Sequence, residues 1–142
     1  MIIWIEAALA LAIHERQLAE HGGSSGVRDH RLLESALARP QQLFAYASPP
    51  PDLADLAASL AHGLARNHPF VDGNKRTAHV CYRVFLALND VSLRASEEEK
   101  YVQMLALSEG SLSEADFAGW LRERMQGPGE HEVHEAAAGY AG

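Results

Sequence analysis

Eleven consecutive residues, Asn67-His68-Pro69-Phe70-Val71-Asp72-Gly73-Asn74-Lys75-Arg76-Thr77, bring together an imidazole, a carboxylate, a carboxamide, an ammonium, a guanidinium and a hydroxyl. An imidazole is the side chain that takes up a proton near neutral pH, so His68 is the candidate general base. Asp72 could hold a divalent metal that bridges phosphate oxygens. Arg76 suits bidentate contact with a phosphate, and Lys75 suits a point-charge contact. The set points to transfer of a phosphate-containing group to a nucleophile activated by His68. The same residues also admit a plainer reading: a helix cap with a solvated basic turn and a surface histidine.

The spacing dictates how these groups are held. Pro69 cannot sit in a helix interior and biases His68 toward an extended backbone, which predicts a helix ending near Asn67. Asp72-Gly73-Asn74 is a turn, with Gly73 free to take a positive φ. Helical patterning resumes and runs from about Asn74 to Leu88. A loop feeding a helix N-terminus exposes unpaired N–H groups at the positive end of the dipole, an anion site. Lys75 and Arg76 oppose that dipole in the first turn unless an anion compensates them.

The elements on either side follow from apolar periodicity. Asp52 caps a helix from Leu53 to about Arg66, whose stripe of Leu53, Leu56, Ala57, Leu60 and Leu64 delivers His68 to the loop. His62 lies off that stripe and reads as a surface residue. The helix after the motif is apolar nearly all round, as a central, enclosed helix would be, and Cys81 within it reads as an inert core thiol. Upstream, a short strand at Ile2–Ile5 and a helix from about Glu6 to Glu20 are expected. On that helix His14 could face the site, although a structural role is favoured. The run from His21 to Gly26 is glycine-rich without phosphate-loop spacing and reads as a connector. Asp29 caps a helix predicted to stop at about Ala38, before Pro40. Gln41–Ala47 reads as an extended, partly aromatic run.

Downstream, Ser96-Glu97-Glu98-Glu99 is a capping box opening a helix to about Ser108. Ser113 caps a last helix with Phe117, Trp120, Leu121 and Met125 on its packed face, and Trp4 and Trp120 read as core anchors. From residue 127 the composition changes to a tail whose His131, Glu132, His134 and Glu135 show HExH rather than HExxH spacing. This divides the chain into a folded domain over 1–126 and a flexible tail over 127–142.

At 142 residues the chain is long enough for one domain burying about two-thirds of its unfolded surface. A net charge of −7 leaves no basic footprint for nucleic acid or an anionic membrane. A single cysteine excludes an internal disulfide and suits a reducing cytoplasm. Residues 1–13 are apolar, but no Lys or Arg precedes the run and Glu6 interrupts it, against a signal peptide.

His-Pro-Phe-Val-Asp-Gly-Asn-Lys-Arg resembles the signature of the Fic/Doc superfamily, and Lys75 followed by Thr77-Ala78 resembles its death-on-curing (Doc) branch. Gly22-Gly23, Gly26-Val27-Arg28-Asp29, Leu33-Glu34-Ser35-Ala36-Leu37 and Arg39-Pro40 are similar to the same proteins, so the resemblance covers roughly 2 to 125. It implies a mainly all-α helical bundle with a central buried helix following the motif loop. A short β-strand or hairpin flap is also implied, placed at residues 39–51 beside the site; a surface loop with Leu43 and Phe44 tucked inward is the alternative there.

The activity that the resemblance implies is that of a toxin of a type II toxin–antitoxin system, using ATP and Mg2+. It would transfer the γ-phosphate to a hydroxyl, by analogy a threonine of elongation factor Tu, and so block translation. By position, His68 would be the base and Asp72 the Mg2+ ligand. Gly73 would admit the phosphates and Asn74 contact phosphate or help orient the metal, while Lys75 and Arg76 neutralise transition-state charge. Pro69 and Gly73 also occur in the AMP-transferring branch, which carries glycine where Lys75 stands, so nucleotidyl transfer is the runner-up. A catalytically silent, antitoxin-binding member is the third reading. These 142 residues contain no Ser/Thr-x-x-x-Glu-Gly/Asn inhibitory stretch. An external brake is therefore expected: a small Phd-like antitoxin whose C-terminal segment folds on binding.

Overall fold

The helix that leads to His68 draws nine of its fifteen residues from Leu and Ala, and most of its sides are covered. In the computed structural model, which describes residues 1–127, it runs Leu53–Asn67 (α3). Its start is a reciprocal capping box: the Asp52 carboxylate accepts from Asp55 N–H at 2.9 Å, and Asp55 accepts from Asp52 N–H at 3.0 Å. Leu56, Leu60 and Leu64 are buried as the stripe predicts, each contributing about 1.5–3 kcal/mol. Burial extends past the stripe to Ala54, Ala58, Ser59, Ala61, Gly63 and Ala65. Small side chains at these positions let α2 (His30–Tyr46), α4 (Asn74–Leu88), α5 (Glu97–Glu109) and α6 (Glu114–Arg124) pack around α3. His62 is half-buried in this setting rather than on the surface. Burial lowers its affinity for a proton, and its Nδ1 has no partner among the described residues.

After the motif loop, α4 lies between α1 (Ala7–His21), α3 and α5, burying Thr77, Ala78, Cys81, Tyr82, Phe85 and Leu86. Cys81 is sealed in, and burial alone raises its pKa to about 12. It is an inert core thiol, as expected. The Ser96–Glu99 capping box, the Asp29 cap and the Ser113 cap all form as the sequence predicts.

Three predicted elements come out differently. Ile2–Ile5 forms no strand; Asn89 instead accepts from Ile3 N–H at 2.8 Å and donates to its carbonyl at 2.9 Å. The second helix does not stop before Pro40. Pro40 lies within α2 on the same buried face as Leu33, Ala36 and Leu37, so packing against α3 outweighs a proline penalty of about 3 kcal/mol. Gln41–Tyr46 is consequently the last part of α2, neither a hairpin flap nor a loop. Leu43 packs against the core, and Phe44 stays half-exposed with its ring edge-on to Trp4.

The strands among the described residues are elsewhere. β1 (Ser92–Leu93) and β2 (Met125–Gln126) pair antiparallel, Ser92 opposite Gln126, and tie the end of α6 to the α4–α5 connection. No helix among the described residues is long and apolar enough to cross a membrane. The HExH residues and the rest of the predicted tail beyond Gly127 lie outside the described residues.

Candidate active site

α3 ends at Asn67 as predicted, but His68 is not extended. It takes the left-handed conformation, φ 51° and ψ 56°, directly before a proline. Such a backbone costs about 1–3 kcal/mol and persists only where its surroundings impose it. Those surroundings are Gly26 to Asp29, at and just past the end of the predicted connector. Val27 bridges antiparallel to Phe70, Val71 N–H donates to Gly26 O at 3.1 Å, and the N–H groups of Arg28 and Asp29 both donate to Pro69 O. The Arg28 guanidinium donates from Nε to His68 O at 2.7 Å and from Nη2 to Asn67 O at 2.9 Å.

Two further residues brace the loop from inside. His14, 3 % exposed, stacks flat on Phe70 with ring centres 3.8 Å apart. Its Nε2 lies 2.8 Å from the Asp72 carbonyl, an acceptor, so that nitrogen carries the proton. His14 therefore points at the motif but in the supporting role the sequence favoured. Asn74 accepts from Phe70 N–H at 2.9 Å and donates to Phe70 O at 3.0 Å, so both ends of its carboxamide are used to close the turn.

Asp72 projects its carboxylate from this frame. One oxygen accepts from Gly73 N–H at 2.8 Å and the other from Ser24 N–H at 3.2 Å. These two bonds, Ser24's first, lower the pKa of Asp72 and keep it anionic. Gly23 makes the arrangement possible. Its φ is +124°, and a Cβ there would sit 2.8 Å from an Asp72 carboxylate oxygen. Gly73, at φ +77°, turns the chain into α4.

The start of α4 has no side-chain cap and no acidic residue in its first turn. Thr77 is the first residue to close the helical ladder, onto Gly73 O at 3.0 Å, leaving the N–H groups of Asn74, Lys75 and Arg76 without intrahelical acceptors. Lys75 is exposed, Arg76 reaches back to Gly22 O at 3.1 Å, and neither forms an ion pair among the described residues.

These groups line one wall of a cleft of about 450 Å3, the scale of a small-molecule site. His68, Asp72, Gly73, Lys75 and Arg76 form its polar end; His79 from α4 and Tyr101, Met104 and Leu105 from α5 form the other. Every predicted site residue thus lines one cleft. A second cleft of about 530 Å3 shares Arg76, His79 and Tyr101 and continues toward Gln17 and His21 of α1. Burial brings the His79 pKa down to about 4, so its ring is neutral at physiological pH.

Sequence reasoning did not single out His79 or Tyr101. His79 lies one turn beyond Lys75 and Arg76, so its spacing could have revealed it; Tyr101 reaches the cleft from another helix, with no local signal.

Residues 4–86, which span the motif and every element bracing it, match the Fic/DOC family. The chain belongs to that family. Among its relatives is the Toxin Doc of Mycolicibacterium smegmatis, 50% identical over 74 residues, which are 52% of this chain and 57% of that protein. Another is the Protein kinase doc of Escherichia phage P1, 32% identical over 120 residues, 84% of this chain and 93% of the phage protein. Both are proteins of the death-on-curing branch of the Fic/Doc family, the branch that Lys75 indicated.

Proposed function

We propose that this Fic/Doc chain is the toxin of a toxin–antitoxin pair and moves the γ-phosphoryl group of ATP to a protein hydroxyl, a threonine of elongation factor Tu. One observation carries the reading: two unpaired cations, Lys75 and Arg76, stand beside three unsatisfied N–H groups at the uncapped start of α4, inside a cleft with His68 at its polar end. A helix terminus built for stability alone would carry an acid there; a polyphosphate site carries this charge. The names of the two relatives support the toxin and kinase assignments.

Each residue then has a task. His68 takes the proton of the acceptor hydroxyl as its oxygen bonds to the γ-phosphorus, and the bond to the β–γ bridging oxygen breaks, releasing ADP. Lys75, Arg76 and the α4 N–H groups stabilise the charge spread over the phosphoryl oxygens. Gly73 lets the backbone come close. Asn74, engaged with Phe70, holds the loop rather than reaching the nucleotide. Asp72 fits a Mg2+ ligand: it is anionic and exposed at the cleft, as suits a metal completed by phosphate oxygens and water. When bound, Mg2+ would neutralise the phosphate chain.

Nucleotidyl transfer is the second reading, supported by the neighbouring cleft that shares Arg76, His79 and Tyr101 and would offer a nucleotide a second direction. Incubating the protein with elongation factor Tu and MgATP separates the two by mass. A phosphoryl increment supports the proposal, an adenylyl increment supports the second reading, and no increment rejects both for this target. The brake is assigned to an antitoxin segment covering the cleft, whose rim offers Val71 and Tyr101, both more than half exposed. Expression alone should arrest growth, and a neighbouring reading frame should relieve it; harmless high-level expression would count against a toxin.

A further inference from the structure

The end of α3 has a problem that its sequence creates. The last carbonyls of a helix lack partners, and a left-handed residue just past the end usually restores them by turning its own N–H and the next one back onto the last turn. His68 is that left-handed residue, but the next is Pro69, which has no N–H. The two-bond closure is therefore unavailable, while the strained backbone of His68 remains.

We infer that Arg28 is the positioning residue for His68, its guanidinium holding the carbonyls on either side of that residue's Cα. Nη2 takes Asn67 O at 2.9 Å, Nε takes His68 O at 2.7 Å, and the main-chain N–H of Arg28 takes Pro69 O at 2.7 Å. One residue thus grips three successive carbonyls on both sides of the His68 backbone. The positive charge also lies at the negative end of the α3 dipole. The imidazole of His68 makes no hydrogen bond with the described residues, so its direction rests on the backbone that Arg28 holds. Because these contacts lie near solvent, the carbonyls can turn to water when the guanidinium is removed. Placement is then lost more than stability.

This inference rests on His68 acting as the base of the proposed transfer, and the test keeps the two apart. Arg28→Ala and Arg28→Lys are made in the full chain, and the His68 imidazole signal, assigned with His68→Gln, is followed by NMR together with the melting temperature. In Arg28→Ala the His68 signal should shift or broaden while the other histidines keep theirs. The transfer kcat should fall about 10²-fold, the loss expected for a base displaced by roughly 1 Å, with KM for ATP unchanged.

Arg28→Lys keeps the charge but cannot fork across two carbonyls, and should lose an intermediate amount. Added guanidinium ion should restore rate to Arg28→Ala and not to His68→Gln. An unmoved His68 signal in either folded variant overturns the inference, as does wild-type kcat in Arg28→Ala. Should the alanine variant fail to fold, Arg28→Lys decides by the same readouts. If the wild type transfers no phosphate, the proposed function fails alone, and the His68 signal still decides the positioning role.

Discussion

Two helices meet at the motif loop, and their N-termini are built to opposite rules. At the start of α3, Asp52 and Asp55 satisfy each other's N–H groups, and Arg122 from α6 closes over both, with Nε 2.6 Å from Asp52 and Nη2 2.9 Å from Asp55. Acids face the dipole, and a cation faces the acids. At the start of α4 there is no cap and no acid, the basic side chains face the wrong way for the dipole, and a cleft opens in front. The first terminus uses its groups for the fold; in the proposed function the second keeps them for phosphate. Changes at one end should therefore alter stability without activity, and at the other activity without stability.

The largest separation is expected at His68. Its alanine variant should lose about 10²–10⁴ of the transfer rate, measured with γ-labelled ATP, and melt with the wild type. Lys75→Glu sharpens the contrast, because it gives α4 the acid that α3 already has. ATP binding, read by calorimetry, should be lost, while the fold is unchanged or gains about 0.3–1 kcal/mol from the corrected dipole. A destabilised variant would mean that Lys75 serves the fold.

At the other terminus, Asp52→Ala should cost about 1 kcal/mol in denaturant melts and leave transfer intact. Arg122→Ala should cost less, no more than about 1 kcal/mol for so exposed a pair. Its hydrogen bonds with Arg122 hold the Asp52 carboxyl at about 2, below the 3.8 of a free carboxyl, so the unfolded chain takes up that proton first. The stability difference between wild type and Arg122→Ala should then be full above pH 3.8 and vanish as pH falls through about 2.

What could be read from the chain beforehand was what is settled locally. The caps at Asp29, Asp52, Ser96 and Ser113, the stripe on α3 and the turn at Gly73 each depend on neighbours within a few residues. Pro40 was misjudged because a local rule was applied where tertiary burial decides, although Leu33, Ala36, Leu37 and Leu43 already shared its period. His68 was expected to be extended because proline favours that, and nothing nearby in sequence announces the clamp from Arg28, forty residues upstream. The run from His21 to Gly26 reads as a connector for the same reason: the partners of Ser24 and Gly26, at Asp72 and Val71, are brought to it only by folding.

The most direct test is label transfer in a bacterial lysate, giving the purified protein Mg2+ and ATP labelled at either the α or the γ phosphate, with His68→Ala alongside. The account predicts a band the size of elongation factor Tu, labelled only from the γ position and absent with the variant. Labelling from the α position, or labelling that survives the loss of His68, would contradict it.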